Sequence, residues 1–216
     1  MAASTSDRRL RFLPLLVAVA LASPVTMPAA APLAGEFRIE ADGMQLDYKN
    51  QTLRMPNIVI RQETPQGNLL IRAREATAKG TEPSFESAVW NFSGDVHIEY
   101  ADGKLDADRA ELTFARNRLQ QARVDGAPAQ FSHQLPGSAQ RNRGSARRIE
   151  MDVPRSRVRL SGNAWYTDGR NEVTTEAIVY NMKDRSWETE RGTSPGNRVI
   201  MTIRPEVPKK DGAAKP

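Results

Sequence analysis

At 216 residues, 39% of them apolar, the chain has material for one ordinary domain with a sizeable core. It contains no cysteine, which excludes a disulfide framework and a thiolate metal site. The formal net charge is +5, and Arg8, Arg9 and Arg11 against Asp7 supply two of those charges, so the remainder is only mildly basic. Such a surface suits phosphate-bearing partners without choosing among them.

The first element is a leader. Arg8, Arg9 and Arg11 precede an apolar run from Phe12 to Ala22, and Ala20-Leu21-Ala22 fits the small-x-small cleavage pattern. A second such site lies in Ala29-Ala30-Ala31, just before Pro32. A membrane span needs roughly 20 apolar residues, and Pro14, Pro24 and Pro28 interrupt any run of that length here. The pattern predicts a cleaved secretory signal peptide over 1–31, and hence an exported protein.

From Gly35 the apolar period is two. Phe37, Ile39 and Ala41 alternate with charged residues, and Trp90, Phe92, Val96, Ile98 and Tyr100, and later Val158 and Leu160, alternate with polar or charged ones. This alternation puts one side-chain set on each face of half-buried antiparallel strands. Asp102-Gly103, Asp125-Gly126, Pro136-Gly137 and Asp168-Gly169 punctuate them as turns. The Ala, Arg, Leu and Glu content of 106–123 suits a helix, but an internal repeat argues for strands there.

That repeat is an alternating run, a step of three, and a second run. It reads Ile39, Ala41 then Met44, Leu46, Tyr48; Ile71, Ala73 then Ala76, Ala78; and Leu105, Ala107 then Ala110, Leu112, Phe114. Two further copies read Gly144, Ala146 then Ile149, Met151, Val153, and Val173, Thr175 then Ile178, Tyr180, Met182. A charged residue follows the last small one each time: Asp42, Arg74, Asp108, Arg147 and Glu176. An odd step inside an even pattern keeps the apolar set on one face only where the strand bends or bulges. Stacked copies therefore predict a corner running across the sheet, with a wall on either side. Between them fall Pro56-Asn57, Gly94-Asp95, Gly126-Ala127 and Gly162-Asn163, spaced 38, 32 and 36 residues apart at positions 56, 94, 126 and 162. This is the spacing of stacked supersecondary units. Glu63–Asn68, Gly80–Ser87 and Ser132–Arg143 read as loops, and 205–216 as a disordered basic tail.

No chemistry-bearing constellation appears. His97 sits at an outward strand position and His133 in a polar loop, neither with a triad spacing. Asp102, Asp106 and Asp108 suit a hairpin turn better than a calcium loop. No metal or cofactor site is expected, and no enzyme. Arg141, Arg143, Arg147 and Arg148 form a basic cluster without the interleaved aromatics that stack on bases, which argues against nucleic acid. The apolar faces remain. They make either an ordinary sandwich core or a groove; burying a lipid chain of about a dozen carbons is worth on the order of 10 kcal/mol.

Several of these segments resemble the LptA/OstA-like family of lipopolysaccharide-transport proteins, over about 37–203. Asp125-Gly126-Ala127-Pro128-Ala129-Gln130-Phe131, Gly144-Ser145-Ala146 before Ile149-Glu150-Met151, and Leu160-Ser161-Gly162-Asn163-Ala164 carry the resemblance, with Ile178-Val179-Tyr180 and Arg198-Val199-Ile200 as closing strands. It implies an all-β fold over 35–204, a twisted V-shaped antiparallel β-jellyroll of repeated hairpins. It also implies a periplasmic, non-catalytic carrier that shields lipid A acyl chains and bridges inner to outer membrane. The lipid-facing residues would be Ile39, Leu46, Tyr48, Ile58, Ile60, Phe92, Val96, Ile98, Leu112, Phe114, Phe131, Met151, Leu160 and Tyr180. An LptC-like inner-membrane protein would pair at the edge near Phe37–Ala41 and an LptD-like outer-membrane protein near Asn197–Ile203, with copies stacking end to end. Two departures stand out: Thr64–Ser93 reads as an added hairpin, and Pro56 stands where glycine is usual. Alternatives are an LptC-like, membrane-associated component and a β-sandwich that only joins proteins.

Overall fold

A computed structural model of the chain describes residues 35–65, 67–134, 137, 141–190 and 198–204, all within the compact unit Leu33–Pro216. The leader expected over 1–31 and the tail expected over 205–216 lie outside the described residues. Alternation produces strands throughout: β1 (Phe37–Glu40), β2 (Gln45–Asp47), β3 (Thr52–Gln62), β4 (Leu69–Lys79), β5 (Ser87–Tyr100), β6 (Gly103–Ala115), β7 (Arg118–Gln134), β8 (Arg141–Asp152), β9 (Arg157–Thr167), β10 (Asn171–Asn181), β11 (Ser186–Glu190) and β12 (Ile200–Ile203). No helix occurs among the described residues, and 106–123 divides between β6 and β7.

All twelve strands join one antiparallel sheet, in which β3 to β10 each pair with the next in sequence. At one end β1 pairs with the second half of β3, from Val59 to Gln62, and β2 with its first half, from Thr52 to Arg54. At the other end β12 pairs with Asn171–Thr174 of β10, and β11 with Ala177–Asn181. The sheet thus has two walls, a first bounded by β1 and β12 and a second bounded by β2 and β11.

The predicted corner lies between the walls. Register slips at Arg72/Glu75 against β5, Ser93/Val96 against β6, Asp106/Arg109 against β7, Asp125/Ala129 against β8, Ser145/Arg148 against β9 and Thr175/Ala177 against β9. Four of these are the places where the sequence steps by three, and the other two fall at the Gly94-Asp95 and Gly126-Ala127 markers. The buried set stays on one face across the steps, as from Ala73 to Ala76, Ala146 to Ile149 and Thr175 to Ile178. Each slip bends its strand and increases its twist. Gly94 (φ +76) and Gly162 (φ +81) supply the left-handed backbone that two of the bends need, each followed by a second positive-φ residue, Asp95 or Asn163. The charged residue of each repeat crosses the outside of this corner. Arg74 lies over Gly94 and pairs with Asp95, and Arg147 lies over Gly162.

Three expectations are corrected. The first repeat copy is not one strand: the chain turns outward at Ala41–Met44, leaving Met44 61% exposed, and β1 and β2 are its separated halves. The Asp42 amide donates to Pro56 O (3.1 Å) and Asn57 Nδ2 donates to the Asp42 carboxylate (2.5 Å), which holds the break at the corner. Pro56 takes glycine's place because Asn57 adopts the positive φ (48°) instead, as a short polar side chain can. The loop expected over Ser132–Arg143 is shorter: β7 continues to Gln134 and β8 begins at Arg141, since His133 and Asn142 pair across the ladder and both face inward. Finally, Thr64–Ser93 adds no separate hairpin; it supplies β4 and the start of β5 in the regular order.

Candidate functional site

The inner faces of both walls line one continuous apolar interior. Of the residues the resemblance placed there, Ile58, Ile60, Phe92, Val96, Ile98, Leu112, Phe114, Phe131, Met151, Leu160 and Tyr180 are all at most 5% exposed. Ile39 packs against this cluster from β1, and Leu46 is half-buried on β2. Tyr48 is the exception. It falls in the turn after β2 and is 76% exposed, because the broken first repeat ends its strand at Asp47. The interior also includes Trp90, Ile71, Leu105, Ile149 and Tyr166, which the same alternation could have nominated.

The walls touch at both ends of the stack. Near β1, Phe85 from the β4–β5 loop stacks between Phe37 (centroids 3.8 Å apart) and Trp90 (5.2 Å), with Phe114 edge-on (4.9 Å). Near β11, Tyr180 of the second wall meets Tyr166, Phe131 and His133 of the first. Its hydroxyl accepts from Asn142 Nδ2 at 2.7 Å and lies 3.0 Å from His133 Nδ1. With Asn142 donating, the hydroxyl proton is free to donate to a neutral His133. Burial supports that state, since it pushes the His133 pKa down and the Tyr180 and Tyr166 pKa values up. No buried side-chain nitrogen or oxygen lacks a partner among the described residues. The polar signal in His133 concealed a core position, although its even spacing from Phe131 placed it on the inner face.

Opposite the corner, the hairpin turns of the two walls form facing rims. Gln62 Nε2, from the first wall, donates to Asn117 O on the second at 2.7 Å. Farther along this seam the rims part around a groove of about 610 Å³. Tyr100 and His133 line it from the first wall, and Leu119, Val153 and Met182 from the second. The interior itself is filled by the side chains of both walls, so the groove is the mouth of a closed sheet fold and not a channel through it.

The outer faces are polar and laced with ion pairs, among them Arg123–Glu150 (3.1 Å), Arg159–Glu190 (2.7 Å) and Arg148–Asp125 (2.8 Å). Arg141, Arg143, Arg147 and Arg148 are exposed there, and Arg141 donates to Gln134 (3.0 Å). His97 is outward, between Asp106 (2.5 Å) and Glu99 (2.8 Å). Partial burial disfavours its charge, but the two carboxylates outweigh this and raise its pKa. No cluster of three or more His, Asp or Glu suited to a metal ion occurs among the described residues.

A single antiparallel sheet bent along a line of bulges, with one apolar face lining both walls, is a bent β-jellyroll. The family described as LptA/(LptD N-terminal domain) LPS transport protein matches residues 77–186, just over half of the chain, and the chain belongs to that family. Its role is accordingly in lipopolysaccharide transport. Among solved structures it is similar in fold to LptH, the LptA-homologous periplasmic component of the lipopolysaccharide transport device of Pseudomonas aeruginosa, with 20% identity over 79% of this chain and 96% of that one and a TM-score of 0.52. No curated protein matches the sequence.

Proposed function

We propose that the chain is a non-catalytic carrier that holds the acyl chains of lipid A between its two walls and bridges inner to outer membrane in the periplasm, where the leader over 1–31 directs it. The observation that carries this reading is the unbroken apolar lining shared by both walls. It offers acyl carbons the same neighbours they would find in a bilayer, worth about 0.8 kcal/mol per methylene removed from water. The ends of the sheet suit a relay. β1 and β12 bound the same wall and, among the described residues, each pairs on one side only. Val199, Ile200, Met201 and Ile203 at the β12 edge are about half exposed or more, an apolar strand edge able to receive another chain by strand addition. An LptC-like partner at β1, an LptD-like partner at β12 and further copies between them fit these edges.

The filled interior favours a second reading, a closed β-sandwich that only joins proteins. The two separate under ultraviolet light. A photoreactive phenylalanine analogue at Phe114, on the inner face, labels lipopolysaccharide in cells if the chain is a carrier, while one at outward Val89 does not. Labelling at neither position, with the protein folded and exported, leaves the sandwich reading.

A further inference from the structure

We infer that the outer face of the first wall carries a saccharide site, in which Trp165 stacks on the C–H face of a pyranose ring. The inference is independent of the carrier reading, because the site lies on the far side of the sheet from the apolar interior. Strand alternation puts it there. Ala164 and Tyr166 belong to the interior, so Trp165 between them points outward, where it is half-buried. It is the one aromatic side chain on the outer face of a strand among the described residues: Phe37, Tyr100 and Trp187 pack against the core, and the other strand aromatics lie within it. Trp165 meets no other ring, and its Nε1 has no hydrogen-bond partner among the described residues. As no buried side-chain nitrogen there lacks a partner, the indole N–H is open to solvent.

A hollow of about 360 Å³ adjoins this ring, at the lower end of the range for small-molecule sites. Its base is a cross-strand row in which Ser145 of β8 lies between Gln130 of β7 and Trp165 of β9. The short serine leaves a dip between two larger side chains roughly 10 Å apart, twice the strand spacing. Pro128, at the corner bulge of β7, borders the dip, as do Asp106 of β6 and Arg143 of β8. The polar groups around it are free to bind. Gln130 and Arg143 are exposed and have no hydrogen-bond or ion-pair partner among the described residues. Asp106 engages His97 through Oδ1 (2.5 Å), which leaves Oδ2 as an acceptor. Donors and acceptors thus surround one apolar platform. A pyranose ring uses both, with C–H groups on its faces and hydroxyls that donate and accept at its edge. A free anion has no use for the indole and is opposed by Asp106. A purely apolar ligand would strip water from these groups and leave them without partners. A strand of another chain needs a sheet edge, and β9 is paired on both sides.

The test titrates the full chain with two lipid-free saccharides, followed by calorimetry and by saturation transfer to the sugar protons. One is a glycan fragment released from cell wall, the other the oligosaccharide released from lipopolysaccharide. At least one should bind at millimolar concentration, and the one that binds names the source. Trp165→Ala should weaken that binding by about tenfold or more, while Trp165→Phe, which keeps an aromatic platform, should stay within about threefold. If Trp165→Ala lowers the unfolding temperature, Gln130→Ala with Arg143→Gln carries the test, since both side chains are exposed; it should weaken binding by roughly three- to tenfold. Labelling of lipopolysaccharide from Phe114 should be the same in Trp165→Ala as in the parent, so the two readings fail separately. Binding of neither saccharide, equal binding by the parent and Trp165→Ala, or tighter binding of adenosine monophosphate than of either saccharide overturns the assignment.

Discussion

Removing one oxygen should show how much the Tyr180 cluster contributes to holding the walls together. In Tyr180→Phe the ring keeps its contacts with Tyr166 and Phe131, at centroid distances of 5.6 and 5.8 Å, so packing changes little. What is lost is the hydroxyl between Asn142 and His133, which are 4% and 8% exposed. A buried polar group left without a partner costs about 1–3 kcal/mol. Asn142 should bear most of that, while His133, which lines the groove, can turn to water at the lower end of the range. The combined loss is about 2–4 kcal/mol, a fall in Tm of roughly 5–15 °C for a domain of this length. Urea unfolding should give the same free-energy loss with an unchanged slope, because the surface exposed on unfolding is the same. Adding Asn142→Leu and His133→Leu should recover much of the loss, since no orphaned group then remains. A Tyr180→Phe protein within about 0.5 kcal/mol of the parent would refute the argument that this hydroxyl ties the walls.

The two histidines should respond to pH with opposite sign. His133 has a folded pKa below its ordinary 6.5, so the unfolded chain takes up a proton that the native state refuses, and stability falls as pH drops below 6.5 toward the folded value. His97 has a folded pKa above 6.5, so its contribution is complete below 6.5 and is lost as pH rises through the folded value. Unfolding free energies between about pH 5 and 8 should lose the acid-side decline in His133→Gln and the upper decline in His97→Gln; profiles unchanged by either substitution would contradict the assignments. At the corner, Gly162→Val forces a branched residue into φ +81 with its Cβ 2.7 Å from Arg147 Nε, and should cost on the order of 1–3 kcal/mol by thermal unfolding. Gly43→Val, which meets nothing within 4 Å and has ordinary φ, should stay within about 0.5 kcal/mol, and equal losses at the two sites would remove the corner explanation.

The corner was legible in the sequence because it is written in local spacing. A period of two and a step of three are properties of a few adjacent residues, and in four copies the register slips where the pattern steps. The first copy misled because Asp42 and Gly43 allow a turn that the apolar positions on either side do not reveal, so Met44 and Tyr48 read as inner-face residues and stand outside. His133, Asn142 and Gln62 are polar residues satisfied across the interior by partners 38 to 55 positions away, and nothing local announces such a partner. The same holds for Phe85, whose loop position says nothing of its stack on Phe37. Whether the walls meet is a question of this long-range kind. The filled interior answers it and changes what a transport role demands: Ile98 and Leu112 are at most 1% exposed, so an aspartate at either position would unfold the domain before it could report on lipid.

If acyl chains are held between the walls, the seam must widen to admit them. The chain has no cysteine of its own, so spin labels at Glu63→Cys and Arg116→Cys, exposed positions beside the Gln62–Asn117 contact, report one distance across the rims. Binding of lipopolysaccharide should lengthen that distance and broaden its distribution, with return to the short distance when the lipid is extracted. Stoichiometric binding with the distance unchanged would place the lipid outside the walls and contradict the account.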